Sequence, residues 1–176
     1  MKIINNITEK LSDDLHVEIS PHSKVSIAAA CFSVYAYEEL KEQLEQVDSL
    51  RFIFTSPTFL SEPSAKEKRE FYIPRQAREK TLHGSEFEIR LRNEFTQKTI
   101  SKECADWVRR KAQFKSNCTD ETMPGFLAVD SEHPVAYAPI NGFTRADLGC
   151  ERGGNMFSMI QQLDAPESKA YLQLFD

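Results

Sequence analysis

The strongest constraint on the fold is a pair of apolar runs separated by a helical repeat. Lys24 to Phe32 (KVSIAAACF) is a nearly continuous stretch of small and β-branched apolar residues, the composition of a strand buried on both faces of a sheet. Tyr37, Leu40, Leu44 and Val47 then recur at the spacing of one helix face, and Leu50 to Phe54 (LRFIF) reads as a second strand closed by Thr55-Ser56-Pro57. Strand, helix and strand in about thirty residues make a βαβ unit, whose strands should be parallel neighbours joined by a right-handed crossover. The expected class is α/β, a mixed sheet with a parallel βαβ core flanked by helices.

The remaining pattern adds elements around that unit. Ile7, Leu11 and Leu15 predict a helix over residues 6–16, with Asn6 and Glu9 as a capping-box pair. Polar residues crowd between Ser61 and Lys80, with Pro63 and Pro74 as breakers, and predict a long loop around a short extended piece at Phe71-Tyr72-Ile73. Ser85 and Glu88 form another capping box ahead of Phe87, Leu91 and Phe95. Ile100, Cys104, Trp107 and Val108 resume the period after a phase slip, which predicts two helices or one kinked helix. Trp107 is the expected core anchor. Beyond Phe114, short apolar runs at 125–129, 135–137 and 156–163 predict successive strands, and Lys169 to Phe175 a terminal helix.

With 176 residues the chain has the size of one domain, so residues 1–176 are read as a unit. No apolar run is long enough to span a bilayer, and the start lacks the apolar stretch of a signal peptide, so a cytoplasmic protein without membrane contact is expected. Cys31, Cys104, Cys118 and Cys150 are too scattered for a disulfide framework, and no pair has the C-x2-4-C spacing of a zinc site. His16, His22, His83 and His133 are isolated from cysteine and from one another, so neither a metal nor any other cofactor is expected. No G-x-x-x-x-G-K-[ST] loop, G-x-G-x-x-G fingerprint or G-x-S-x-G elbow occurs, which leaves no recognisable nucleotide-hydrolysing motor, dinucleotide site or esterase.

Charge is unevenly spread. Residues 1–50 carry 4 Lys and Arg against 9 Asp and Glu, residues 51–115 carry 15 against 9, and residues 116–176 carry 3 against 9. The basic middle is either a solvated helix surface of mixed charge or a phosphate-binding patch. Its candidates for nucleic-acid contact are Arg75, Arg78, Lys80, Arg90, Arg92, Arg109, Arg110 and Lys111. The pairing that would cancel such a patch is with Glu86, Glu88, Glu94 and Asp106.

The blocks SKVSIAAACFSVYAYEELKEQL, LRFIFTSPTF, EFEIRLRNEF, CADWVRRKAQFKSN and AYAPINGFTRADLG, taken in that order over roughly residues 5–175, resemble the phospholipase D-like domain at the N-terminus of bacterial superfamily 2 helicases and restriction-type enzymes. The resemblance implies a site with H-x-K-x4-D on one strand and G-S-x-N on the next, in which a histidine takes the phosphoryl group and lysine and asparagine stabilise the charge on its oxygens. In this sequence the first strand corresponds to Gly125 to Asp130, which has neither His nor Lys. The second motif corresponds to Pro139-Ile140-Asn141-Gly142-Phe143-Thr144, with Ile140 and Gly142 where serine and asparagine belong. The triplet His22-Ser23-Lys24 is no substitute, because Ala29 stands at the aspartate position.

No catalytic residue is therefore assigned. Lys115, Asn117, Asn141, Thr144, Arg145, Asp147 and Glu151 remain as the edge of the degenerate site. Asn141 and Asp147 either satisfy turn backbone or belong to a binding surface on which Lys115 and Arg145 meet phosphates or carboxylates. The expected role is a non-catalytic accessory domain for DNA binding or assembly, with weak DNA contact, a helicase or ATPase motor in cis or trans, and a homodimer. The alternatives are a phosphodiesterase or nuclease with a rearranged site, and a purely structural dimerisation module.

Overall fold

The computed structural model describes residues 1–55, 97–119, 121–151 and 157–176. The strands are β1 (Lys2–Ile4), β2 (Lys24–Ala29), β3 (Ser49–Phe54), β4 (Ala112–Ser116), β5 (Phe126–Asp130), β6 (Val135–Ala138) and β7 (Ile160–Leu163). The helices are α1 (Leu11–Glu18), α2 (Val34–Glu39), α3 (Lys41–Gln46), α4 (Gln97–Lys111) and α5 (Glu167–Gln173). The strands form one mixed sheet in the order β1-β7-β6-β5-β2-β3-β4.

The expected parallel core is present. β2 pairs with β3 in parallel from Lys24↔Ser49 to Ala29↔Phe54, and β3 pairs with β4 in parallel from Leu50↔Ala112 to Phe54↔Ser116. From β2 outward on the other side, every pair is antiparallel. Five of the six β2 residues are buried, as the unbroken apolar run requires of a central strand. The crossover from β2 to β3 is two short helices rather than one. Leu40, at φ −110° and ψ 15°, breaks the helix between α2 and α3, yet Tyr37, Leu40, Leu44 and Val47 are all buried as their spacing predicts.

One face of the sheet carries the main core. Val25, Ile27, Leu50, Phe52, Leu127, Val129 and Tyr137 pack there against Leu11 and Leu15 of α1, Leu40, Leu44 and Trp107. Trp107 is fully buried, and its indole Nε1 donates to the Leu44 carbonyl at 2.9 Å. The second face holds a smaller cluster of Ala28, Phe126, Ala128 and Ala136, covered by Tyr171, Leu172 and Phe175 of the C-terminal segment.

The sequence expectations fail mainly at the N-terminus. Residues 2–4 form a strand that apolar patterning did not reveal, and the first helix starts at Leu11 rather than at residue 6. Asn6 is not a helix cap in a box with Glu9. It sits in the left-handed region at φ +61°, fully buried, with its backbone N–H donating to the Glu9 carbonyl. Asparagine tolerates that conformation better than most non-glycine residues. The strand predicted at 156–163 is shorter, Ile160–Leu163. The loop with Phe71-Tyr72-Ile73 and the helix with Phe87, Leu91 and Phe95 lie outside the described residues. Among the described residues no helix is long and apolar enough to cross a membrane.

Candidate functional site

In a sheet with parallel strands, ligand sites favour the crevice outside the strands' carboxyl ends. Here that edge is formed by Ala30 after β2, Thr55 after β3 and Asn117 after β4, roofed by the loop 139–150 that follows β6. The chain ends are stitched together by backbone bonds: Thr55 N–H to Ala29 O at 3.0 Å, Asn117 N–H to Phe54 O at 3.0 Å, and Ala30 N–H to Asn141 O at 2.8 Å. Phe143 N–H donates to Cys31 O at 2.8 Å and Ser33 N–H to Phe143 O at 2.9 Å, so the loop runs as a short extension beside β2.

Beneath this roof lies an aromatic cluster. The Phe32 ring centroid is 5.5 Å from that of Phe52, 5.3 Å from Phe114 and 5.4 Å from Phe143. The backbone approaches closely at two glycines. A Cβ at Gly125 would run into the Ile140 carbonyl, and one at Gly142 would stand 2.7 Å from Cys31 Sγ and 2.9 Å from Asp147 Oδ2. Ile140 and Gly142, the positions of serine and asparagine in the resembled motif, thus serve packing.

The polar residues of the loop bond to one another. Thr144 Oγ1 donates to Asp147 Oδ2 at 2.6 Å and accepts from Asp147 N–H at 3.2 Å, a reciprocal cap on the turn that follows. Burial pushes the Asp147 carboxyl above its ordinary pKa, opposed by the hydrogen bonds from the Thr144 hydroxyl and from the Gly142 and Thr144 backbone. Asn6 anchors the loop from outside: its Nδ2 donates to Asp147 O at 2.7 Å and its Oδ1 accepts from Leu11 N–H at 2.9 Å. Gly149, at φ +78°, places its Cα where a Cβ would come 3.0 Å from Asn6 Oδ1. Asn117 donates through Nδ2 to Thr55 O at 3.1 Å and accepts from Thr119 N–H at 2.9 Å. Asn141 is exposed and Glu151 half-buried.

Among the described residues the predicted basic side chains do not form one patch. Arg109, Arg110 and Lys111 form the last turn of α4, which leads directly into β4 and so lies at the amino edge of the parallel strands. Lys115 is the fourth residue of β4, exposed on the face opposite Phe114. Arg109 is paired with Asp106 at 3.0 Å and Arg110 with Glu45 at 3.2 Å, while Lys111 Nζ donates to the Val47 carbonyl at 2.7 Å. Arg145 is paired with Glu39 at 3.0 Å. Arg75, Arg78, Lys80, Arg90 and Arg92 lie outside the described residues, as do Glu86, Glu88 and Glu94.

No described histidine reaches the loop. His22 contacts Asp48 at 3.0 Å before β2, His133 lies on the β5–β6 turn at the opposite edge, and His16 Nε2 meets the Glu39 carbonyl at 3.0 Å. Among the described residues no three His, Cys, Asp or Glu side chains converge as metal ligands. Sequence reasoning found Thr144 and Asp147 but missed Asn6, whose partner Asp147 is 141 positions away; no local pattern could have joined them. Comparison of the sequence with protein-family models and with curated proteins finds no match.

Proposed function

We propose that the chain is a non-catalytic, phospholipase D-like accessory module that serves assembly in a helicase- or restriction-type DNA-processing system, with a motor in cis or trans. The observation that carries this reading is the use to which loop 139–150 is put. The Thr144 and Asp147 side chains and the carbonyls of Asn141, Phe143 and Asp147 are engaged in the Thr144–Asp147 cap, the Asn6 anchor and the bonds to Ala30 and Ser33. A nucleophile or oxyanion site needs groups aimed at a substrate, and these are aimed at the chain itself.

Assembly is favoured over DNA contact because Arg109, Arg110 and Arg145 already face carboxylates. A guanidinium so matched releases little from the counterion atmosphere of a duplex. Light scattering across micromolar concentrations, run beside a bis-p-nitrophenyl phosphate and DNA hydrolysis assay with and without divalent metal, tests the proposal. A homodimer without turnover is expected. A monomer, or turnover that Asp147→Asn abolishes, overturns it, and the latter outcome would establish a phosphodiesterase with a rearranged site. DNA binding seen by anisotropy that weakens with salt and with charge reversal at Arg109 and Arg110 would replace assembly by nucleic-acid contact.

A further inference from the structure

The two faces of the sheet are held very differently, and the difference centres on the C-terminal helix. We propose that α5 is a releasable strap, hinged at Ser168 and latched by Arg51, that opens as its own unit off the second sheet face.

Seven residues are fewer than the ~12–15 that make an isolated helix marginally stable in water, so α5 depends on docking. Its only fully buried residue is Ser168, whose Oγ donates to the Pro134 carbonyl at 2.9 Å and fixes the first turn to the β5–β6 connection. Past that point the cover thins. Tyr171, Leu172 and Phe175 are half-buried and Leu174 is 65% exposed. Tyr171 and Phe175 stand 4.9 and 5.4 Å, centroid to centroid, from Phe126. The surface they shield is completely closed: Ala28, Ala128 and Ala136 at 0% exposure and Phe126 at 1%. Three of those four are alanines, which offer a helix few contacts.

At the far end Arg51 of β3 adds a polar latch to the packing of Phe175 on Phe126. Arg51 donates through Nη1 to Asp176 Oδ1 at 2.8 Å and through Nε to Ser26 Oγ at 3.1 Å, and its guanidinium carbon lies 5.1 Å from the Phe175 ring centroid. The same cation thus grips Phe175 and Asp176, just past α5, and the central strand. The ion pair is partly solvated, so salt weakens it. A segment with few buried contacts and a solvated latch belongs to the low end of the local-opening scale, whereas β2 and β5 are buried on both faces and open only with the whole fold. Opening lifts the aromatic cover from Phe126 and the alanines.

This inference is independent of the assembly reading, since it is tested on the chain alone by hydrogen exchange followed by mass spectrometry. The α5 amides are expected to exchange at least about tenfold faster than those of β5, and Arg51→Ala to accelerate them a further ~3–10-fold with β3 and β5 rates unchanged. Asp176→Asn, which leaves the Arg51–Ser26 bond intact, and raised salt should act in the same direction. Exchange of α5 at the rate of β5 overturns the proposal. So does an unchanged α5 in both variants, which would mark ordinary fraying, and so does acceleration of helix and sheet alike.

Discussion

Thr144 and Asp147 satisfy each other reciprocally: the threonine hydroxyl donates to the aspartate carboxylate at 2.6 Å and accepts from the aspartate N–H at 3.2 Å. A hydroxyl is the group that can do both at once. Thr144→Val should therefore cost about 1 kcal/mol, the usual worth of a lost cap, while Thr144→Ser should cost much less. Urea unfolding of the three proteins checks the order. Equal stability of the valine variant would show that the turn does not need the cap.

The same carboxylate gives stability a pH dependence. Burial raises the folded pKa of Asp147 above its ordinary value, so between the unfolded and folded values the native state binds more protons than the unfolded chain. Ionised Asp147 is then a cost: its contribution is most favourable below the unfolded pKa, about 3.9, and declines as pH rises through the raised folded value. The stability difference between wild type and Asp147→Asn should shift against the wild type as pH rises. A shift in its favour would overturn the assignment.

Tyr137 is fully buried, and its hydroxyl donates to Asp14 Oδ2 at 2.7 Å, tying β6 to α1. Burial and this bond both hold the phenol well above its usual pKa, so it stays a donor. Gln162 Nε2 and Lys2 Nζ also serve Asp14, each at 2.9 Å. Tyr137→Phe removes one of three donors and should cost about 1.5 kcal/mol, the range for a bond to a charged group. A double-mutant cycle with Asp14→Asn should return a coupling of at least about 0.5 kcal/mol, and an additive cycle would refute the link.

The cysteines should separate by reactivity. Burial pushes the Cys104 thiol up to about 12, and its side chain is 3% exposed, whereas Cys118 is exposed. Only the thiolate is nucleophilic. At mildly alkaline pH a disulfide reagent should label Cys118 rapidly and Cys104 only on unfolding, as followed by peptide mapping. Fast labelling of Cys104 in the native chain would contradict its burial in the main core.

What the sequence determined by itself was carried by period and run length. The apolar run at Lys24–Phe32, the helical spacing from Tyr37 to Val47 and the LRFIF run specified the parallel pair, because burial on a sheet or helix face repeats every two or every three to four residues. Trp107 followed from the same logic, since an indole at the apolar face of a helix has nowhere cheaper to go than the core. Tertiary structure alone decided the rest. The position of Asn6 depends on Asp147, the Arg51 clasp on Asp176, and the ion pairs of Arg110 and Arg145 on Glu45 and Glu39. A basic segment read along the chain looks like a patch, but whether its charges face solvent or a carboxylate is set by which helices the sheet brings side by side. Hydrogen bonds and ion pairs are short-ranged in space and indifferent to separation along the chain, so they leave no periodic trace in the sequence.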